Sequence, residues 1–237
     1  MIAIVDYGMG NLRSVQKAFE RVGFSAAVTS SPEDVRQARG VVVPGVGAFG
    51  KAMENLERLG LADAVVEAVR EGKPYLGICL GYQLLFESSE ERFGEGAAAA
   101  CGGRSGGAEG DPGAGGGSEA RGTGGGREPA GLGLLKGKVR RFPAGVRKVP
   151  QIGWNQVRRA RETPLFEGVA DGSYVYFVHS YFPVPADPGV VAATTEYGVE
   201  FASAVCAGHI WAVQFHPEKS SRVGLAILAN FGRAVER

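Results

Sequence analysis

Residues 74–83 read Pro74-Tyr75-Leu76-Gly77-Ile78-Cys79-Leu80-Gly81-Tyr82-Gln83, an apolar run that changes to a helical pattern at a cysteine. Gly77 and Gly81, on either side, have no β-carbons to crowd a sharp turn from strand to helix. A thiol at such a corner lies at a helix N-terminus, where unpaired N–H groups and the helix dipole favour the thiolate. The stretch therefore predicts a strand-turn-helix unit that presents Cys79 as a nucleophile.

The amino-terminal half alternates short apolar runs with amphipathic stretches. Strands are predicted at Ile2 to Asp6, Ala26 to Thr29, Val41 to Val43 and Pro74 to Ile78, and helices at Leu12 to Val22, Lys51 to Val69 and Leu80 to Ser88. This alternation is typical of an α/β fold, in which a mainly parallel sheet is flanked by helices. In open sheets of this kind the functional site lies beyond the carboxyl ends of the strands, and Cys79 is at one such end.

The carboxyl-terminal half is rich in strand-like runs and ends in a helical pattern. The runs are Val139 to Phe142, Ile152 to Val157, Tyr174 to Tyr181, Val190 to Thr195, Phe201 to Cys206 and Ile210 to Phe215, and the helix is Arg222 to Val235. With 237 residues, 44% of them hydrophobic, the chain can bury one full core. We therefore expect residues 1–237 to form a single domain.

Residues 94–131 differ from the rest of the chain in composition. They are dominated by glycine, alanine, serine, glutamate and arginine and contain almost no large apolar side chains. Such a segment cannot bury enough surface to offset the entropy lost on ordering. We expect a disordered insertion after the nucleophile helix, and a partner-binding segment or lid remains the alternative.

Charge and composition exclude several classes of function. The net charge is +1, from 26 basic and 25 acidic residues, which gives no reason to expect nucleic-acid or membrane-surface binding. Three cysteines without C-x-x-C spacing and three histidines suggest neither a disulfide framework nor a metal site, and we expect no cofactor. The amino terminus lacks signal-peptide features and no apolar run is long enough to cross a membrane, so we expect a cytoplasmic protein.

A second stretch supplies the base that a cysteine nucleophile needs. It reads Gln214-Phe215-His216-Pro217-Glu218, and in an extended chain the side chains of His216 and Glu218 share a face. Glu218 can then orient the imidazole of His216, which activates Cys79. His179, within an aromatic strand, competes with His216 as base but is better interpreted as a buried or site-lining histidine. Taken alone, each motif could be an ordinary packed corner or turn. Their combination predicts Cys-His-Glu acyl transfer.

Acyl transfer also needs N–H donors for the tetrahedral oxyanion. The N–H of Leu80 directly follows the nucleophile. The loop Pro44-Gly45-Val46-Gly47 follows a predicted strand, and its glycines allow close approach to a ligand, so we predict Val46 and Gly47 as the second source. A plain glycine-rich turn is the alternative.

These motifs, taken with three further segments, resemble the glutaminase subunit of imidazole glycerol phosphate synthase, a class I glutamine amidotransferase with a flavodoxin-like fold. The further segments are Asp6-Tyr7-Gly8-Met9-Gly10-Asn11, Gly153-Trp154-Asn155 and His179-Ser180-Tyr181. The resemblance runs from end to end apart from the glycine-rich segment. The cysteine elbow and His-Pro-Glu mark the superfamily, and the other segments point to the histidine-pathway subunit.

The resemblance implies a glutaminase that forms a thioester on Cys79 and passes ammonia to a (β/α)₈ barrel cyclase subunit in a heterodimer. The cyclase would make imidazole glycerol phosphate and aminoimidazole carboxamide ribotide in histidine biosynthesis. By position, the residues that bind glutamine would be Gly45, Gln83, Ser180 and Tyr181, and those that face the cyclase would be Asn11, Pro150, Gln151 and Trp154.

Two positions depart from the family pattern, and other functions remain open. Family members usually carry His where Gln151 stands and often Met where Tyr82 stands, which puts partner contact and substrate packing in doubt. A different class I amidotransferase, such as the glutaminase of pyridoxal phosphate synthase, is one alternative. A non-catalytic module on the same fold is another, although it would be expected to lose Cys79, His216 or Glu218.

Overall fold

The computed structural model describes residues 1–91 and 128–237. The amino-terminal range begins with a strand and alternates strands with helices up to the nucleophile. Its first elements are β1 Ile2–Val5, α1 Leu12–Arg21, β2 Ala26–Thr29, α2 Pro32–Gln37, β3 Gly40–Gly45, α3 Phe49–Arg58, α4 Leu61–Arg70, β4 Tyr75–Cys79 and α5 Leu80–Gln83. The predicted alternation of strands and helices is thus confirmed, and α2 is an additional helix that the sequence analysis missed.

The later elements are mostly strands, as predicted. They are β5 Ser88–Ser89, β6 Gly137–Arg141, β7 Gln151–Arg159, β8 Ser173–His179, β9 Tyr181–Pro185, β10 Val191–Glu196, β11 Glu200–Ala207, β12 Ile210–Val213 and α6 Ser221–Glu236. Short 3-10 turns lie at Pro164–Phe166, Pro188–Val190 and Pro217–Lys219.

One large sheet joins the two halves of the chain. Its nine strands lie in the order β2-β1-β3-β4-β12-β11-β10-β7-β8. The strands from β2 to β12 in this order pair in parallel, whereas the pairs from β12 to β8 are antiparallel. A second sheet has the order β5-β6-β9. The late strand β12 therefore lies directly beside β4, which ends at Cys79.

The core has two layers, one on each face of the parallel half. Alternate residues of β1 point to opposite faces: Ile2 and Ile4 pack in one apolar cluster, and Val5 packs in the other. The first cluster includes Phe19 of α1 and Phe231 of α6, whose rings are 6.1 Å apart. The second cluster contains the buried faces of α3 and α4. Helices on both faces leave the carboxyl edge of the parallel strands as the open end.

Two predicted helices differ from the structure for identifiable reasons. The helix predicted over Lys51 to Val69 is two helices, because Gly60 has a left-handed φ of 67° and breaks the hydrogen-bond ladder. The helix predicted over Leu80 to Ser88 ends at Gln83. Beyond it, the carbonyls of Leu84 to Glu87 accept hydrogen bonds from backbone N–H groups within 131–135, which replace the helical bonds.

The predicted strand Tyr174 to Tyr181 is also two strands. β8 pairs with β7 in the large sheet and β9 pairs with β6 in the small one, so the chain changes sheets at Ser180. This change of sheet brings the His179-Ser180-Tyr181 segment to the junction of the two sheets.

The predicted insertion, residues 94–131, falls mainly outside the described residues. Only 128–131 are described, and they pair with the chain just after α5: Ser89 N donates to Pro129 O at 3.1 Å and Gly131 N donates to Glu87 O at 3.0 Å. Glu128 forms an ion pair with Lys138 at 3.1 Å. In the described ranges, no helix combines the length and the apolar character needed to cross a membrane.

Candidate functional site

Cys79 is the last residue of β4 and lies at a strained corner, as the sequence predicts. Its φ of 55° and ψ of −105° are unusual for a residue with a side chain. A β-carbon on Gly77 would lie 2.6 Å from the Gly81 carbonyl oxygen, and one on Gly81 would lie 1.7 Å from the Val43 carbonyl oxygen. The two glycines therefore allow α5 to start directly against β3 and β4.

His216 and Glu218 lie beside this corner because β12 runs parallel to β4. Val213 is in register with Ile78, so the chain just after β12 passes Cys79. His216 Nδ1 is 2.9 Å from Glu218 Oε1, and both side chains are almost fully buried. One detail of the prediction is wrong. Glu218 reaches His216 from the 3-10 turn Pro217–Lys219, since Pro217 starts that turn and the strand has already ended.

The charges of these three residues reinforce one another. Burial alone would lower the pKa of His216, but the Cys79 thiolate and the Glu218 carboxylate beside it outweigh burial and raise that pKa. Because Nδ1 faces Glu218, the other ring nitrogen is the one that hydrogen-bonds to Cys79. Glu218 Oε2 is buried without a hydrogen-bond partner among the described residues. The arrangement favours a protonated, positively charged His216 beside Cys79.

Gln214 is a neighbour of the sulfur that the sequence analysis did not assign to the site. Its Nε2 lies 3.7 Å from Cys79 Sγ, and its Oε1 accepts from Gln83 Nε2 at 3.2 Å. The carbonyl of Val178 also lies 3.7 Å from Cys79 Sγ. Gln214 stands two residues before His216, so the period-two rule that paired His216 with Glu218 could have identified it.

The residues predicted to stabilise the oxyanion lie together in the cleft beside Cys79. β3 and β4 are neighbours with Gly45 in register with Cys79, and Val46, Gly47 and Leu80 all line one cleft with the sulfur. Gly47 has a φ of 102°, which favours glycine. The loop and α5 thus bring Val46, Gly47 and Leu80 to the same space beside Cys79.

Tyr7 supports this loop from below and was missed as a site residue. Its hydroxyl donates to the Pro44 carbonyl at 2.9 Å. Burial, and to a smaller degree the charge of Cys79, raise the pKa of Tyr7 well above its usual range, so the hydroxyl keeps its proton. A β-carbon on Gly45 would lie 2.1 Å from that hydroxyl. Gly45, predicted to bind substrate, is instead buried beneath the cleft and does not line it.

The cleft has a volume of about 420 Å³, suited to a small ligand. Three of the four residues predicted to bind substrate line it. It is bounded by Val46, Gly47, Cys79, Leu80, Gln83, Glu91, Arg141, Pro150, Ile152, Val178, His179, Ser180 and Tyr181. The two charged residues, Glu91 and Arg141, were not foreseen, because nothing in their local sequence separates them from ordinary surface charges.

Glu91 is buried at one wall and accepts a hydrogen bond from Phe49 N at 2.9 Å, whereas Arg141 is exposed at the end of β6. The cleft therefore carries one acidic and one basic group in addition to the thiol.

His179 is not a second base. Its Nδ1 is 2.8 Å from the Tyr181 carbonyl and its Nε2 is 3.0 Å from Gln151 Oε1. Burial lowers the pKa of His179 to about 4, so the ring is neutral at neutral pH. The sequence prediction of a hydrogen-bonded histidine lining the site is confirmed.

The residues predicted to face a partner do not share one environment. Trp154 is 52% exposed and Ile152, two residues earlier on β7, is 62% exposed. Asn11 is exposed, and its side chain makes no cap hydrogen bond to α1. Pro150 lines the cleft. Gln151 is buried beside His179, so its side chain does not reach the surface.

Residues 1–91 and 128–237 contain no cluster of three or more His, Cys, Asp or Glu side chains that could hold a metal ion. Cys206 is a buried free thiol, and Cys101 lies outside the described residues.

Comparison with known proteins shows similarity along nearly the whole chain. The family model described as "Glutamine amidotransferase class-I" matches residues 3–235. The imidazole glycerol phosphate synthase subunit HisH of Moorella thermoacetica is 49% identical over 234 residues, which span 99% of this chain and 95% of that protein. The same subunit of Geobacter sulfurreducens is 47% identical over 237 residues, or 98% and 97% of the two chains.

A solved structure described as a glutamine amidotransferase superposes with a TM-score of 0.64 at 19% identity, covering 97% of this chain and 99% of the other. At that identity the likeness concerns the fold alone.

Proposed function

The chain belongs to the class I glutamine amidotransferase family, and from that premise we propose that it is the glutaminase subunit of an imidazole glycerol phosphate synthase. It hydrolyses L-glutamine to L-glutamate and ammonia, and the ammonia is used by a cyclase subunit in histidine biosynthesis. We also propose that the protein is located in the cytoplasm.

The single observation that carries the chemistry is the triad at the end of the cleft. Cys79, His216 and Glu218 form one hydrogen-bonded series, and the sulfur opens into a space lined by polar and charged groups. Free glutamine is a zwitterion with a carboxamide at its far end. Glu91 and Arg141 supply the two charge signs that its ammonium and carboxylate groups require.

In the first half-reaction the Cys79 thiolate attacks the carboxamide carbon. The C=O electron pair moves to oxygen, and the oxyanion is stabilised by N–H groups of Leu80 and of the Val46-Gly47 loop. His216 gives its ring proton to the amide nitrogen, the C–N bond breaks, and ammonia leaves. A γ-glutamyl thioester on Cys79 and a neutral His216 remain.

In the second half-reaction His216 takes a proton from water, and the resulting hydroxide attacks the thioester carbon. The oxyanion collapses, the C–S bond breaks, and glutamate leaves while Cys79 returns as thiolate. Glu218 holds the Nδ1 side of the ring throughout, which keeps the other nitrogen directed at the sulfur.

We place the cyclase on the exposed face of β7 and β8. The register pairs Ile152 with Val178 and Trp154 with Tyr176, so apolar side chains of both strands form one patch. Tyr174 extends it and is 56% exposed. Exposed apolar patches of this kind mark protein interfaces. Ile152 also lines the cleft, so a subunit docked here lies at the cleft mouth and can receive ammonia directly.

The test is release of glutamate from glutamine, measured with and without the cyclase subunit and its nucleotide ligand. We expect stimulated release that is lost in Cys79→Ala, while the complex still makes product from added ammonium salts. Stimulation only by a different synthase would instead favour another class I amidotransferase. Glutamate release that persists in Cys79→Ala would refute the proposed chemistry.

A further inference from the structure

A buried amide and a buried imidazole face each other across β7 and β8. Gln151, the first residue of β7, is directly opposite His179, the last residue of β8, and both are at most 6% exposed. His179 Nδ1 lies 2.8 Å from Tyr181 O, and its Nε2 lies 3.0 Å from Gln151 Oε1. Gln151 Nε2 is buried and has no hydrogen-bond partner among the described residues.

The positions of the protons on His179 constrain its hydrogen bond with Gln151. A carbonyl oxygen only accepts, so the hydrogen bond to Tyr181 requires a proton on His179 Nδ1. A second proton on Nε2 would create a cation among the rings of Phe142, Phe177 and Phe201, whose centroids lie 5.1 to 5.6 Å from that of His179. Burial lowers the pKa of His179, and the neighbouring charge of His216 is also positive. The ring is therefore neutral, and its Nε2 is an acceptor.

A neutral ring makes the amide orientation decisive. With Oε1 toward His179, two acceptors face each other while the amide N–H groups remain buried and unpaired, which is destabilising. A half-turn of the carboxamide removes the contact between the two acceptors and gives one amide N–H a partner, because the amide nitrogen then donates to the ring nitrogen.

We propose that Gln151 is a positioning residue for the substrate site: its amide nitrogen donates to His179 Nε2 and holds the imidazole in the tautomer that binds the Tyr181 carbonyl. Glutamine as the substrate rests on the proposed function, whereas the tautomer does not depend on it.

The contact continues from Tyr181 to the nucleophile. Tyr181 O also accepts from Gln83 Nε2 at 3.0 Å, and the same nitrogen is 3.2 Å from Gln214 Oε1. Gln214 Nε2 in turn lies 3.7 Å from Cys79 Sγ. Because Gln83, His179 and Tyr181 line the cleft, loosening this series disturbs the substrate wall before it disturbs the triad. When this series is loosened, we therefore expect a higher KM for glutamine with little change in kcat.

The experiment combines nitrogen-resolved NMR of the histidine rings with glutaminase kinetics on the partner-bound protein. In the wild type we expect His179 to be neutral with its proton on Nδ1 at neutral pH. Gln151→Met preserves volume but removes the donor, so we expect an altered His179 signal and a KM for glutamine raised about tenfold, or ~1.4 kcal/mol. We expect kcat to stay within about threefold.

Two further variants make the test specific. Gln156→Met is the matched control, because Gln156 lies on the same strand and its amide binds Gly172 O at the surface; it should leave KM and the His179 signal unchanged. Gln151→Glu should keep the proton on Nδ1, either as a carboxylate beside an imidazolium or as a carboxylic acid that donates to Nε2. Its KM should therefore stay nearer the wild-type value than that of Gln151→Met.

A wild-type His179 that is protonated on Nε2 at neutral pH would overturn the inference. An unchanged KM and ring signal in Gln151→Met would overturn it as well. If Gln151→Met does not fold, the histidine ring spectrum of the wild type and the KM of Gln151→Glu still test the inference. A wild-type complex that releases no glutamate would refute the proposed function while leaving the tautomer result to stand on its own.

Discussion

At the scale of single residues, the site depends on a strained backbone at Cys79. A positive φ in a residue with a side chain costs on the order of 1–3 kcal/mol, and neighbouring contacts must hold it in place. Gly81 makes this possible, because a β-carbon there would overlap the Val43 carbonyl. The turn therefore depends on the absence of β-carbons at Gly77 and Gly81 as much as on the cysteine itself.

The unequal roles of His216 and Glu218 give a first prediction. His216 moves protons, whereas Glu218 orients the ring through Nδ1 at 2.9 Å. Glu218→Gln should retain the buried volume and lose less activity than His216→Ala, by roughly tenfold to a hundredfold in kcat. Steady-state kinetics of the stimulated complex measure both. Equal and complete loss in the two variants would show that the carboxylate itself takes part in the chemistry.

His179 gives a prediction about stability and pH. Its pKa is about 4 in the folded chain against an ordinary value of 6.5, so between these values the unfolded chain binds a proton that the folded chain does not. The free energy of unfolding therefore has its full value above pH 6.5, where His179 is neutral in both states, and decreases as the pH falls toward 4. The full loss is roughly 3 kcal/mol.

Denaturant unfolding of the wild type and of His179→Gln over this range measures the effect. The free energy of unfolding of the wild type should fall more steeply with decreasing pH than that of the variant, which has no proton to bind at this position. Parallel pH dependences in the two proteins would contradict the assignment of a low pKa to His179.

At the scale of elements, the exposed face of β7 and β8 is the feature to test. Trp154 packs edge-on against Tyr176, with ring centroids 6.0 Å apart, and remains half exposed. If this face binds the cyclase, Trp154→Ala should weaken binding by at least about 2 kcal/mol, or roughly thirtyfold in Kd.

Titration calorimetry with the cyclase subunit measures the change. Val184→Ala is the control, since Val184 is also an exposed apolar residue but lies on β9 in the small sheet. We expect this control to leave Kd unchanged. An equal Kd for Trp154→Ala and the wild type would move the interface elsewhere.

At the scale of the whole molecule, the single-domain interpretation predicts that the glycine-rich segment is dispensable. Replacing residues 97–127 with a short Gly-Ser turn keeps Glu128, which pairs with Lys138. Stimulated activity should remain within about threefold, or ~0.7 kcal/mol in transition-state terms. A large loss of activity with an unchanged Tm would support a role in substrate binding or partner contact.

Much of the fold was predictable because its signals are local. The alternation of apolar runs and helical patterns gave the parallel half, and the glycines around Cys79 gave the corner. The end of α5 at Gln83 was not predictable in this way. The carbonyls of Leu84 to Glu87, which follow the helix, accept hydrogen bonds from residues within 131–135, about fifty positions later, and no local pattern encodes that pairing.

The site residues also fall into two groups: those with a local sequence signal and those that only the fold brings together. Cys79, His216 and Glu218 stand in short motifs whose spacing implies their roles. Glu91, which follows β5, and Arg141, at the end of β6, line the cleft only because the two sheets meet at Ser180. Gln151 was expected at a partner interface, and only the cross-strand register shows that it faces His179.

The most direct test of the account is the covalent intermediate on Cys79. The stimulated complex, mixed with glutamine and quenched in acid within a turnover, should contain chain whose mass is increased by glutamine less ammonia. Peptide mapping should place that mass on the peptide containing Cys79, and the adduct should be absent from Cys79→Ala. Glutamate release at full rate with no adduct on Cys79, or with an adduct on another residue, would contradict the central claim.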